Sequence, residues 1–415
     1  MKTITYKLFP FLICVVFLFP ILKENFSTLS IILLTLNLIV YKITAKDFSL
    51  PRLNILLLTI PFLIVSFYSF FSTNYKISFS HINHSLLFFI IPIVFSLIPK
   101  SIFSDENLNL FFKTLKNLCL LIAFIYIISF FVYNPLWKFD IEFHNESSFR
   151  NYIYNDFKLF KIHPTYYTCI LIFCVTHSLK LVIEKKKYIE LIYVISFLSI
   201  TFLLLTKLTI VLMVILVLYM LLFKNKLSLT SKILVLTLSV GSLFILIEFT
   251  PGIKNRFLEL YNNFNIKPKE LAFDSTNVRK AIFDCSTKIA KENWVFGIGF
   301  ENLQTELNNC YQSNYNSDFY KDHNYMTHNY YLYILISTGI LGFISYLFYL
   351  GNIIRISFKS NFFLFKTFTI TILILCFIED FFYRQYGVLY FNLIIMCFIN
   401  HLEYKKLYKD EFQYN

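Results

Sequence analysis

The chain has 415 residues, of which 57% are hydrophobic, 20% aromatic and 15% charged, and its mean hydropathy is +0.62. A soluble domain is nearer half apolar and a quarter charged, so this composition excludes an ordinary water-soluble core and fits a chain whose main solvent is lipid. The net charge of +13 does not argue for nucleic acid, because Lys and Arg cluster in short connections between apolar runs, which is the pattern of membrane topology.

Residues 1–7 and the apolar run after them look like a secretion signal, but Pro20, Lys23 and Glu24 stand where small residues would allow cleavage. The segment reads as an uncleaved first span. Apolar runs of span length follow near 27–43, 54–72, 84–99, 116–133, 164–183, 189–206, 208–223, 231–250, 329–351, 361–378 and 385–401, after the first at 8–22. The pair 189–206 and 208–223 is one stretch too long for a single helix, divided where Thr206, Lys207 and Thr209 interrupt it. The pattern predicts an all-α polytopic membrane protein with about 12 transmembrane helices. Residues 1–250 hold helices 1–9, with an outer loop near 134–162. Residues 251–327 form a large, partly helical periplasmic loop, and 328–415 hold helices 10–12 and a cytoplasmic tail.

Basic residues fix the orientation. With the N-terminus in the cytoplasm, 21 of the 38 Lys and Arg fall in cytoplasmic segments. The short outer loops hold only Lys23, Lys76, Lys207 and Arg384. Long loops count little in this rule, so both termini are expected in the cytoplasm.

Six cysteines lie in apolar runs and read as small packing residues. Cys285 and Cys310 fall in the long polar loop, where an oxidising compartment permits a disulfide, although sequence does not report their separation. Six of the eight histidines, His81, His84, His144, His163, His323 and His328, fall on the outer side or its rim.

The long loop has internal order. Ser275 or Thr276 can cap a helix running to about Glu292. Val278, Ala281, Ile282, Cys285 and Ile289 recur at helical spacing as one apolar stripe, while Lys280, Asp284 and Lys288 alternate in sign on the opposite face. Arg279 falls on the flank between them, where it can bury its stem and turn its guanidinium into a cleft or into solvent. Gly297 and Gly299, among bulky apolar residues, indicate a tight turn or a close backbone approach. His328-Asn329 opens the tenth span, and Gly339, Gly342, Ser337 and Ser345 below it permit close helix packing. Lys207 is the sole charge in its long apolar stretch. Arg384 follows Glu379 and Asp380 in the last outer turn, which reads as an ion pair. Arg150, in the other outer loop, is a further cation without a supporting pattern.

His328-Asn329, nine residues and Gly339-x-x-Gly342 resemble the His-[Asn/Ser/Gln]-x9-Gly-x-x-Gly signature of the O-antigen ligase and polymerase superfamily. Arg279 followed by a helix, Trp294 and Gly297-x-Gly299-Phe300 is similar to that superfamily's loop pattern, and the span count and loop position match as well. The resemblance implies a glycosyltransferase of the bacterial inner membrane. It would move a glycan from undecaprenyl diphosphate to a lipid A–core or similar acceptor (a ligase), or to another repeat unit (a polymerase). It further implies that His328 activates the acceptor hydroxyl and that Arg279 holds the diphosphate. Thr206-Lys207 stands where many members carry a Ser-Arg or similar pair, and a lysine cannot grip a phosphate bidentately.

The chemistry is coherent on elementary grounds. A diphosphate leaving group gathers negative charge that fixed cations stabilise, and an imidazole takes a proton near neutral pH. The outer loops contain no Asp-x-Asp and no His or Cys metal-ligand spacing, so neither metal nor cofactor is expected, and no nucleic-acid partner. The first outer loop is too short for the acidic metal site of oligosaccharyltransferase-type enzymes. A transporter is the alternative of another class, but it would place charges or broken helices at mid-membrane.

Overall fold

A computed structural model describes residues 2–72, 74–140, 142–143, 146–160, 162–224, 253–269, 274–321 and 323–412, together with Thr230, Ile233, Thr237, Gly241, Phe244 and Glu248. The expected ninth span at 231–250 and His144 therefore lie outside the described residues or nearly so. The protein is an all-α polytopic membrane protein. Its helices are α1 (Lys2–Val16), α2 (Glu24–Ala45), α3 (Leu53–Phe70), α4 (Tyr75–Leu97), α5 (Asp105–Tyr133), α6 (Pro164–Lys185), α7 (Glu190–Leu203), α8 (Lys207–Phe223), α9 (Ile253–Asn263), α10 (Ser275–Glu292), α11 (Leu303–Asn314), α12 (Tyr330–Lys359), α13 (Phe363–Leu375) and α14 (Gln385–Phe412). A two-residue antiparallel pairing, Glu142 opposite Ser147, sits between α5 and α6.

Among the described residues, seven helices (α2 to α6, α12 and α14) are long and apolar enough to cross a membrane, while α7, α8 and α13 are shorter apolar helices. Each expected run within the described residues lands on a helix, but the ends differ. The first run is helical only to Val16 and continues in turns, because Pro20 has no N–H to donate and disfavours helical backbone at the residue before it. Helix α5 begins at Asp105, well before the apolar run at 116, and α14 runs on to Phe412. Apolar runs mark contact with lipid, whereas the backbone hydrogen-bond ladder continues through polar turns into water.

The chain divides into two compact units, one of Met1–Phe9, Leu33–Leu108 and Tyr261–Asn415 and one of Pro10–Ile32 and Asn109–Leu260. In the second, α6 is the central helix, buried along most of its length, with α7 and α8 against it. A buried ion pair, Lys116 with Glu190, is supported by Ser178 Oγ donating to Glu190 at 2.9 Å. Pairing is the condition on which such charges are tolerated away from water. In the first unit, α14 is almost wholly buried and packs on α4, with Asn400 Nδ2 donating to the Phe95 carbonyl at 3.1 Å. Lys100 and Arg52 both meet Glu403, at 2.9 and 3.2 Å, and so tie the basic end of this unit together.

Candidate active site

The first unit builds a site around His328 from three pieces of chain. The first piece is α10. Its N-cap is Asp274, not Ser275 or Thr276: the Asp274 side chain accepts from Thr276 N and Asn277 N, and Asn277 returns a bond to the Asp274 N–H. A carboxylate at this end also complements the helix dipole, which explains why it takes the cap from the neighbouring hydroxyls. The expected stripe is buried as a set, and Lys280 pairs with Asp284 at 3.3 Å on the opposite face. Cys285 and Cys310 are joined in a disulfide that clips α10 to α11. Helix α11 in turn steadies the approach to His328, since Tyr311 Oη donates to the Tyr325 carbonyl at 3.2 Å.

The second piece is the head of α12. Asn329 is its N-cap and accepts from Tyr331 N and Leu332 N at 3.0 and 3.1 Å. His328, just before the cap, has φ +45°, a left-handed conformation that a branched or ring-bearing residue enters only with strain of about 1–3 kcal/mol. Asp380 holds it there. One carboxylate oxygen accepts His328 N at 2.8 Å, and the other accepts Asn329 N at 3.2 Å and the Thr327 hydroxyl at 2.5 Å. Burial pushes the Asp380 carboxyl above its ordinary value; His328, the Thr327 hydroxyl and the His328 backbone pull the other way, and Glu379 adds to the rise.

The third piece is the turn between α13 and α14, which supplies Glu379. Its Oε2 lies 3.3 Å from His328 Nδ1, and its Oε1 lies 2.5 Å from Arg279 Nη2. A carboxylate only accepts, so this contact places a proton on Nδ1 and leaves Nε2 of the neutral ring with its lone pair. The side chains of Arg279 and His328 are 45% and 31% exposed, while that of Glu379 is 14% exposed. The carboxylate thus forms the floor, and the imidazole and guanidinium form the rim. The arrangement can take a proton from a hydroxyl at the rim and present a cation to an anion beside it.

Arg384 is exposed just before α14. It and Asp380 both act on the Tyr383 hydroxyl, which burial pushes upward, so Arg384 belongs to the same turn. Lys207 and Arg150 fall in the second unit. Lys207 is half-buried at the first residue of α8, where the helix dipole adds to its charge. Arg150 donates to the Leu204 carbonyl at 2.5 Å and lies 4.0 Å over the Tyr154 ring, at the break that precedes Lys207.

Two acidic residues matter more here than their pattern indicated. The sequence pairs Glu379 and Asp380 with Arg384 by proximity. Glu379 meets His328 and Arg279, and Asp380 shapes the backbone that presents His328. The only sequence signal was two adjacent carboxylates in a short outer turn. The other histidines have other surroundings: His81 Nδ1 meets the Tyr333 hydroxyl at 3.2 Å, His84 and Tyr383 lie edge to face, and His163 caps α6.

Gly339 also departs from expectation. It does not simply let two helices pack closely; with φ +62° and ψ −166° it breaks α12. This backbone region is open essentially to glycine alone. The break leaves backbone groups unpaired within the helix, and the loop after α10 takes them up. Ile298 N donates to the Ile336 carbonyl at 2.9 Å, Gly299 N to Ser337 at 3.0 Å, and Ile340 N to Val295 at 3.3 Å. A Cβ on Gly339 would meet the Val295 carbonyl at 2.3 Å. Below the break, Leu341, Gly342 and Phe348 of α12 and Ile60, Phe67 and Tyr68 of α3 line an open apolar groove of about 540 Å³.

Residues 192–347 match the family model described as O-Antigen ligase. The matched stretch contains Lys207, Arg279, His328, Gly339 and Gly342; Arg150 precedes it, and Glu379, Asp380 and Arg384 follow it. No curated protein matches the chain.

Proposed function

On the premise that residues 192–347 carry an O-antigen ligase domain, we propose that this multi-pass membrane protein transfers a glycan from undecaprenyl diphosphate to lipid A–core or a similar acceptor, on the periplasmic face of the bacterial inner membrane. His328 is the base. Its Nε2 takes the proton of the acceptor hydroxyl as that oxygen bonds to the anomeric carbon, and the bond from that carbon to the diphosphate oxygen breaks with its electron pair. Arg279 receives the charge that develops on the diphosphate. Arg384 is the further cation of this unit assigned to the anionic donor, while Lys207 and Arg150 are candidate anion contacts within the second unit. The reaction as written draws its energy from the carrier linkage and calls for neither a nucleotide nor a metal.

The observation that carries this reading is the shared carboxylate. Glu379 orients His328 through Nδ1 and holds Arg279 beside it, so a base and a phosphate-binding cation stand together at the head of one helix. The open groove along α12 supports a donor with an isoprenoid tail.

The test is deletion of the gene followed by gel analysis of surface polysaccharide. A ligase leaves lipid A–core without polymer while carrier-linked polymer accumulates, whereas a repeat-unit polymerase leaves a single repeat on the core. Unchanged polysaccharide would refute both. Complementation with His328→Ala or Arg279→Ala protein is expected to restore membrane insertion but not transfer. Full transfer by a normally expressed His328→Ala protein would refute the assignment of the base.

A further inference from the structure

The loop that pairs with the break in α12 has an apolar, open tip. Trp294 is 54% exposed and Phe296 is 81% exposed. The tip is fixed at a known height along α12, since the Val295 carbonyl accepts from Ile340 N. From there, residues 340–359 rise about 30 Å at 1.5 Å per residue, which is the thickness of a bilayer's hydrocarbon core. Their far end carries Arg355 and Lys359. The exposed apolar row of Leu341, Ile344 and Phe348 begins directly below the break. The break, and not residue 329 where the apolar run begins, therefore marks the boundary of the core on His328's side, with the largely buried segment 330–338 between it and His328.

A second element agrees. Phe70 and Phe71, at the end of α3, are both exposed, and Tyr68 just before them lines the same groove as Gly342. Exposed aromatics from two separate segments thus meet at one level, as in the aromatic belts of membrane proteins. Lys288 and Lys291, exposed in the last turns of α10 just before the tip, supply cations at headgroup height.

We propose that Trp294 and Phe296 form a membrane-interface wedge. They enter the upper acyl region of the leaflet on His328's side, with Lys288 and Lys291 toward the lipid phosphates. The wedge thereby sets the height of His328, Glu379 and Arg279 above the bilayer. This inference does not depend on the transfer reaction, and its test reads no activity.

The chain has two tryptophans, Trp137 and Trp294, so Trp137→Phe leaves Trp294 as the only indole. Full-length Trp137→Phe protein in phosphatidylcholine vesicles with bromine high on the acyl chain should lose about half its emission or more, and should lose less with bromine near the chain end. Aqueous iodide should quench it weakly. Should Trp137→Phe fail to fold, the difference between the natural protein and Trp294→Phe gives the same component, which the Trp294→Phe protein must lack. Ready quenching of Trp294 by iodide, with no response to either brominated lipid, would overturn the wedge.

Discussion

Glu379 has two carboxylate oxygens and two partners, the His328 imidazole and the Arg279 guanidinium, and that division gives its substitution a distinctive signature. Glu379→Gln keeps the size of the side chain but removes the charge that fixes the His328 tautomer and holds Arg279. Transfer is expected to fall about 10- to 1,000-fold in kcat. KM for the lipid-linked donor should not rise, because Arg279 is released toward the diphosphate. A raised KM with unchanged kcat, measured with purified protein, would contradict this role. Asp380 acts differently, through the backbone. In Asp380→Asn an amide group replaces one accepting oxygen, so a buried N–H of His328 or Asn329 loses its partner at about 1–3 kcal/mol. The sign of its pH dependence follows from its raised pKa. The folded state holds the proton more tightly than the unfolded state, so this group's contribution is fully present below the ordinary value of 3.8 and is lost as pH rises through the higher folded value. In detergent, the natural protein's thermal stability should therefore decline relative to that of Asp380→Asn as pH rises above 3.8. A parallel pH profile for the two proteins would count against this.

At the level of elements, α12 works because it is broken. Gly339→Ala places a Cβ against the Val295 carbonyl in a backbone region closed to alanine. The expected result is a loss of about 3 kcal/mol or more, read as a lower unfolding temperature and poorer yield. Gly342→Ala would meet the Thr338 hydroxyl and also its Cβ; a change of rotamer relieves the first but not the second, so this substitution too should lower the unfolding temperature. Were Gly339→Ala as stable as the natural protein, the break would not be required by the loop seated on it. The clip between α10 and α11 closes a separation of 25 residues, worth about 3.5 kcal/mol of loop order in the chain-entropy account. Cys310→Ser should raise proteolytic cleavage within residues 293–327 while leaving the spans protected. Uniform sensitivity across the whole chain would show instead that the clip supports more than this layer.

At the scale of the molecule, the charge asymmetry and the disulfide make one joint prediction about sidedness. Lys and Arg crowd one set of short connections, and Cys285 with Cys310 lies in the long loop of the opposite set. In intact spheroplasts, an impermeant maleimide should label these two cysteines only after treatment with an impermeant reductant, since four of the other six are buried in apolar helices, Cys376 is buried just after α13 and Cys14 is half-buried within α1. Labelling that requires lysis would reverse the orientation.

The sequence by itself determined that the chain lives in lipid, where its described helices broadly run and that His328-Asn329 stands at the head of one of them, because lipid imposes long apolar runs and a backbone that must pair with itself. The stripe of α10 was legible for the same reason, a period of 3.6. Tertiary structure decided the rest. A glycine pair reads alike whether it packs a helix or breaks one, and only the loop seated on Gly339 separates the two. A carboxylate has no periodicity, so Glu379 reached His328 and Arg279 across intervals of 51 and 100 residues that no local spacing encodes. Local pattern reports the solvent a segment faces, whereas the partner of a charged group is fixed only when distant segments are brought within a few ångströms.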